Sequence, residues 1–151
     1  MTQNIIAALS ELILDTPELI SFVQVWSPEK RVARVFAIEL PDKLANTTTN
    51  QIVAFSDSLH LPAITIITAG SRTKDLRVYQ NTIYGVFVWA RSFSDANKHA
   101  ETLKHAINAR KGILNNTRYA SISYVGGDKD LKDTPTNRVC RHFEISTVII
   151  T

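Results

Sequence analysis

Cysteine is all but missing from this 151-residue chain. The single thiol, Cys140, closes no intrachain disulfide and supports no cysteine-rich zinc site, so the fold holds by packing alone. Glycine and proline are sparse, five of each, which excludes a collagenous or low-complexity chain. Long apolar runs are absent too. Nothing approaches the roughly 18–20 residues needed to cross a bilayer, and the most hydrophobic opening stretch, Ile5 to Leu14, is interrupted by Ser10 and Glu11. Met1-Thr2-Gln3-Asn4 offers no basic side chain ahead of that stretch, as a secretory signal would need, so a soluble intracellular protein with no membrane partner is expected. What the chain does have is 44% hydrophobic and 21% charged residues. That is too apolar for disorder and enough for one core, a single domain over residues 1–151.

Charge of one sign is not in large excess either. Seventeen Lys and Arg stand against fourteen Asp and Glu, a formal +3, which suits a solvated surface as well as a nucleic-acid partner. The distribution says more than the sum. Before Lys30 every charge is acidic (Glu11, Asp15, Glu18, Glu29), whereas Arg91 to Arg118 carries six basic and two acidic groups. Such a bipolar molecule suits head-to-tail contacts between copies of itself.

The apolar period changes along the chain. Ile5, Ile6, Leu9, Leu12 and Ile13 recur at helical steps, and Asp15-Thr16-Pro17-Glu18 reads as a break, with Thr16 or Asp15 capping a second short helix through Leu19, Phe22 and Val23. From Arg31 to Glu39 the pattern predicts a strand. Pro41 to Pro62 reads as a long loop with an extended piece at Ile52 to Phe55, and loops of this length are usually functional or mobile. Ala63 to Thr68 is a second strand. A polar tip at Arg72 to Asp75 leads to a third strand ending at Arg91, whose Ile83 to Ala90 core is apolar on both faces, as in a strand covered on both sides. Gly85 within it suggests a bulge or a close approach. Ser94-Asp95 opens a helix to about Lys111, with Ala96, Ala100, Leu103 and Ile107 inward and Lys98, Glu101, Lys104 and Asn108 toward water. Tyr119 to Val125 and Arg138 to Ile150 are the last strands, joined by the polar loop Gly126 to Asp133. In the final strand Val139, Arg141, Phe143, Ile145, Thr147 and Ile149 share one face, mostly buried, against Cys140, His142, Glu144 and Ser146 on a mostly wet one. The class is α+β: a mostly antiparallel sheet of about five strands packed against an N-terminal helix and one long helix, in the order α-β-β-β-α-β-β.

Chemistry-bearing constellations are thin. His99 and His105 are six apart and point differently, where a helical metal pair needs four-residue spacing. Glu101 and His105 have the spacing to pair on the helix surface. Cys140 and His142 share a strand face, an arrangement open to a nucleophile and to a plain structural pair. Gly126-Gly127-Asp128 lacks the following helix that a phosphate-cradling loop needs. Asp128, Asp130 and Asp133 alternate with Lys129 and Lys132, unlike a calcium loop. Tyr79, Tyr84, Phe87 and Trp89 beside Arg72, Lys74, Arg77 and Arg91 have the composition of a nucleic-acid platform, but Phe87 and Trp89 fall in the run read as core. No cofactor, metal or enzymatic activity is expected.

The order of the parts resembles a known family, the tail-completion or tail-terminator proteins of long-tailed bacteriophages and prophages. The likeness rests on the amphipathic first helix with its Leu14-Asp15-Thr16-Pro17-Glu18-Leu19 break and on Leu61-Pro62-Ala63-Ile64-Thr65-Ile66. It continues through Val86-Phe87-Val88-Trp89-Ala90-Arg91-Ser92, the helix Ser94-Asp95-Ala96-Asn97 to Ala109, and Arg141-His142-Phe143-Glu144-Ile145. The resemblance implies a structural virion protein, assembled in the bacterial cytoplasm. It would form a homo-hexameric ring at the head-proximal end of the tail, ending growth of the tail tube protein and joining the head-tail connector. Genome DNA would touch the lumen in passing. The two shorter charged loops are then the expected interfaces, with Arg72, Lys74 and Asp75 in one and Asp128, Lys129, Asp130 and Lys132 in the other. The alternative is a small basic nucleic-acid-binding module.

Overall fold

Residues 5, 8, 9, 12 and 13 are the apolar stripe of the first helix, α1 (Thr2–Asp15), and all five side chains are buried. In this computed structural model, which describes residues 2–27, 30–46, 51–73, 79–109, 112–114 and 117–150, α1 stops where Thr16 returns its hydroxyl hydrogen to the Leu12 carbonyl at 2.6 Å. Thr16 therefore closes the first helix with its side chain and makes no side-chain cap for the next one. That second piece is a 3₁₀ turn, Pro17–Phe22, with Pro17 in its first positions and Leu19 and Phe22 buried. The expected helix does not continue through Val23. Val23–Ser27 is β1, paired antiparallel with β2 (Lys30–Ala33), because Val23, Val25, Arg31 and Ala33 find a ladder that no isolated helical turn offers.

The strand expected over Arg31 to Glu39 is broken at Arg34, whose guanidinium is buried and tied to three other segments. Beyond it β3 (Val35–Ala37) joins the main sheet. The long loop after Pro41 proves to hold structure: a hairpin of β4 (Lys43–Asn46) and β5 (Gln51–Ala54), then a single helical turn, α2 (Asp57–His60). β6 (Ala63–Thr73) and β7 (Tyr79–Ala90) follow, both longer than their apolar centres.

Helix α3 (Phe93–Ala109) begins two residues early, with the Asp95 N–H held by Ser92 Oγ at 3.1 Å. Its predicted stripe of Ala96, Ala100, Leu103 and Ile107 is fully buried. β8 (Gly112–Leu114), β9 (Thr117–Asp133) and β10 (Arg138–Ile150) complete the chain. The polar stretch 126–133, expected as a loop, is the second half of β9, laddered to β10 from Lys129 to Asp133 and again at Gly126.

Among the described residues the main sheet has six strands in the order β3-β6-β7-β10-β9-β8, antiparallel throughout except for the parallel β3·β6 pair. The fold is α+β, with a looser strand order than the sequence suggested. α1, α3 and the 3₁₀ turn share one core with the sheet, around Tyr84, Val86, Val88, Phe143 and Ile145. The β7 strand is covered fully on that side only. On the far face Phe87 and Trp89 are half-buried, so the apolar run does not reflect helices on both sides. Cys140 and His142, placed on a wet face, are instead buried there.

Candidate interaction surface

Four side chains of the outer half of β9 carry the expected interface, and the structure divides them. Asp128 and Asp130 turn to the helix side and are engaged within the molecule. The Lys104 ammonium meets Asp128 at 2.7 Å and Glu101 at 3.0 Å, lying 4.6 Å from the Tyr124 ring centre and 5.4 Å from that of Phe143. Tyr124 donates its hydroxyl to the same Asp128 carboxylate. Burial alone would lower the Lys104 pKa, but the contacts with Asp128 and Glu101 outweigh it and hold it above the ordinary lysine value. For Asp128 burial acts upward and is likewise outweighed, by hydrogen bonds from Lys104 and Tyr124, so its carboxyl lies below the usual range. Asp130 accepts from Arg141 and from Asn97 of α3, each at 3.2 Å. Lys129 and Lys132, by contrast, are exposed and ion-paired to nothing among the described residues.

In the other predicted loop, Arg72 continues β6, its backbone paired with Asn81. Lys74 and Asp75 lie outside the described residues. Lys104, read as solvent-facing, is 8% exposed. It stands four residues after Ala100 and three before Ile107, on the rim of the buried stripe, and that spacing was the available signal. Glu101 pairs with it.

The far face holds a second set of contacts. Trp89 donates its indole N–H to Thr65 Oγ1 at 2.9 Å, and the His142 ring lies 4.7 Å from that of Phe87 while its Nδ1 donates to the Gly127 carbonyl at 2.8 Å. These engagements leave neither aromatic as an isolated stacking platform. A Cβ on Gly85 would sit 3.2 Å from both His142 Nε2 and Ile67 Cγ1, so this glycine serves close approach, in an unbroken β7·β10 register. Burial, with Asp130 and Asp133 nearby, pushes the Cys140 thiol up to about 12, which leaves it un-ionised at neutral pH despite its His142 neighbour.

Below Trp89 a cleft of about 250 Å³ opens, lined by Ile38, Glu39, Leu40 and Asp42 after β3 and by Asp133, Thr136 and Arg138 at the β9–β10 turn. Arg138 binds Asp57 of α2 at 2.9 Å and covers the Phe55 ring at 5.1 Å, pinning the 41–60 insert to the sheet. Inside that insert His60 is buried and its Nδ1 accepts the Ser56 N–H at 2.8 Å. Burial, then the nearby Arg34 cation, lowers its pKa. Arg34 itself donates to the Pro62 carbonyl and to Gln24 Oε1, each at 3.0 Å, and to the Ser21 carbonyl. Sequence patterning had no sign of this staple, since a lone arginine in a strand reads as exposed.

His99 meets the Phe22 ring edge-on at 5.4 Å, and His105 is exposed. Among the described residues no three His, Cys, Asp or Glu side chains are grouped to hold a metal ion. Large apolar side chains stand out instead: Ile38, Ile52 and Leu59 are 73%, 69% and 71% exposed. No protein-family model matches the chain, and no curated protein matches it significantly.

Proposed function

We propose that this chain is a ring-forming structural protein of the tail-terminator type, closing the head-proximal end of a phage tail tube and meeting the head connector. The kind of assembly rests on the resemblance of its segments. Self-association is supported by one observation above the others, the exposed Ile38, Ile52 and Leu59, three of the largest apolar exposures among the described residues. Large apolar side chains left in water within residues 38–59 of a folded domain suit a site of protein contact. The chain's acidic beginning and basic middle suit contacts between unlike faces of successive copies, which close into rings when the rotation permits.

Two measurements test this. Mass in concentrated solution and negative-stain images should give a closed oligomer with a central hole, and purified protein added to polymerising tail tube protein should cap tubes at one end. A chain that stays monomeric and leaves tube length unchanged overturns the proposal. Tight DNA binding by the monomer, steeply weakened by salt, would favour the nucleic-acid module instead.

A further inference from the structure

The insert between β3 and β6 hangs on few points. Its β4–β5 hairpin pairs with no other strand among the described residues, and a lone two-stranded hairpin is marginal in water. Phe55 meets Phe36 of β3 edge-on at 6.5 Å, and Arg138 reaches the insert from β10 through the Asp57 ion pair and the Phe55 ring. That ion pair is partly exposed and therefore weak. A further anchor is His60, the one buried side chain of α2, whose neighbours Asp57, Ser58 and Leu59 all face water.

The single turn of α2 closes on the His60 ring. Its N-cap, Ser56, makes no capping bond with its own hydroxyl. Instead the Ser56 N–H donates to His60 Nδ1 at 2.8 Å, and the Ser56 carbonyl accepts from the His60 N–H at 2.7 Å. The ring also packs on Phe55, with centroids 5.3 Å apart. A four-residue turn has no stability of its own, so this exchange with a neutral imidazole shapes it.

The ring is held in this way only while uncharged. Once protonated, Nδ1 offers no lone pair and turns an N–H toward the Ser56 N–H. The pocket already holds one cation. Arg34, 7% exposed, gives its hydrogen bonds to the Pro62 and Ser21 carbonyls and to Gln24 Oε1, all uncharged. Asp57, the carboxylate of α2 itself, is engaged by Arg138, and among the described residues no carboxylate is ion-paired with the ring or with Arg34. A second positive charge is unmatched there, in keeping with the lowered pKa of the ring.

We infer that His60 is a pH-sensitive latch: as its ring takes a proton from water it leaves the pocket beside Arg34, α2 unwinds, and residues 55–60 come away from the sheet while the core stays folded. Asp57 leaves Arg138 in that step, which uncovers Phe55 and widens the cleft that Leu40, Asp42 and Arg138 line below Trp89. The exposed Ile52 and Leu59 ride on the same insert, so the apolar surface on which self-association is argued moves with the latch, which itself does not depend on that reading.

Hydrogen exchange, followed amide by amide by NMR on the full chain from roughly pH 7.5 to 5, tests this. Corrected for intrinsic rates, protection of the Ser56 and His60 amides should fall about tenfold per pH unit below about 6.5, as uptake of one proton on opening requires. The Val86 and Val88 amides of β7 should keep theirs, and the His60 ring should titrate over the range in which the insert loses protection. His60→Gln, which can accept the Ser56 N–H but cannot titrate, should give a flat profile. Protection lost from the insert and β7 together would mean global unfolding and overturns the latch, as does an insert that ignores pH or keeps its slope in His60→Gln. If that variant fails to fold, the parent decides alone: a His60 ring that titrates outside the range of lost protection overturns it too.

Discussion

Lys104 shows how one side chain can join a helix to a strand. Its ammonium sits in the gap between α3 and β9, with two carboxylates and two aromatic rings around it. Removing the charge while keeping the stem, as in Lys104→Met, strands Asp128 beside Tyr124. Because Asp128 retains some solvent, the expected loss is about 1–2 kcal/mol rather than the full cost of breaking a buried pair, read as a lower urea midpoint. The pair also sets pH limits. The Asp128 carboxyl is held low in the fold, so its contribution is present above the unfolded carboxylate value and is lost as pH falls through the folded one. Lys104 is held high, and its share is lost only as pH rises through its folded value. In Lys104→Met the alkaline limb should vanish from the stability profile and the acid limb should shrink, since Tyr124 and Arg141 still hold the Asp128 carboxyl low. His60 acts in the acid direction at milder pH. Neutral in both states above about 6.5, it is protonated first in the unfolded chain as pH falls, because the fold lowers its pKa and keeps Nδ1 as an acceptor for Ser56. Melting temperature should therefore drop between neutral pH and the folded His60 pKa. His60→Gln, which can still accept that N–H, should flatten the slope; an unchanged slope would assign it to another group.

At the scale of elements, β9 is bent by its own glycines. Gly126 and Gly127 have φ of 118° and 73°, and the β9·β10 register shifts on either side of the Glu144–Gly126 pair, an irregularity of the bulge kind that side chains other than glycine resist. A Cβ at Gly127 would also lie 2.6 Å from Glu144 Oε1. Gly127→Ala is thus expected to cost about 1–2 kcal/mol, and adding Glu144→Ala should recover only part of it, since the backbone strain stays. Both are measurable by denaturant unfolding. The same bulge explains why β9 was not legible past Val125. A glycine pair followed by alternating Asp and Lys carries the composition of a turn, yet the alternation is itself a strand period, with Asp128 and Asp130 to the helix and Lys129 outward. Elements whose apolar residues set the period were readable: the α1 stripe, the inner face of α3, the centres of β6 and β7, and the buried half of β10. Those held by pairing or polar staples were not. β1 and β2 depend on each other and on Arg34, and the 41–60 insert depends on Arg138 reaching Asp57 across 81 residues. Of the candidate surface, the charged residues of β9 were legible by composition, but which of them face inward is decided by Lys104 and Arg141.

For the whole molecule, self-association and the fold's stability are linked, and Ile38 separates them. It is a β-branched residue at φ 70°, a conformation that costs of order 1–3 kcal/mol outside glycine and asparagine and that recurs at functional positions. Its side chain is 73% exposed and contributes little to the isolated subunit. If assembly covers it, folded chains are drawn into the oligomer by mass action, and the melting temperature must rise with protein concentration. Ile38→Asn removes the apolar contact and places a residue that tolerates left-handed backbone. At low concentration this variant should melt higher than the parent, by roughly 2–4 °C for a gain of about 1 kcal/mol in a chain of this size. At high concentration the order should reverse, because only the parent gains from assembly. Scanning calorimetry across a hundredfold dilution reads both limbs. Parallel curves with no crossing would mean that Ile38 is strained for some purpose other than holding the next subunit.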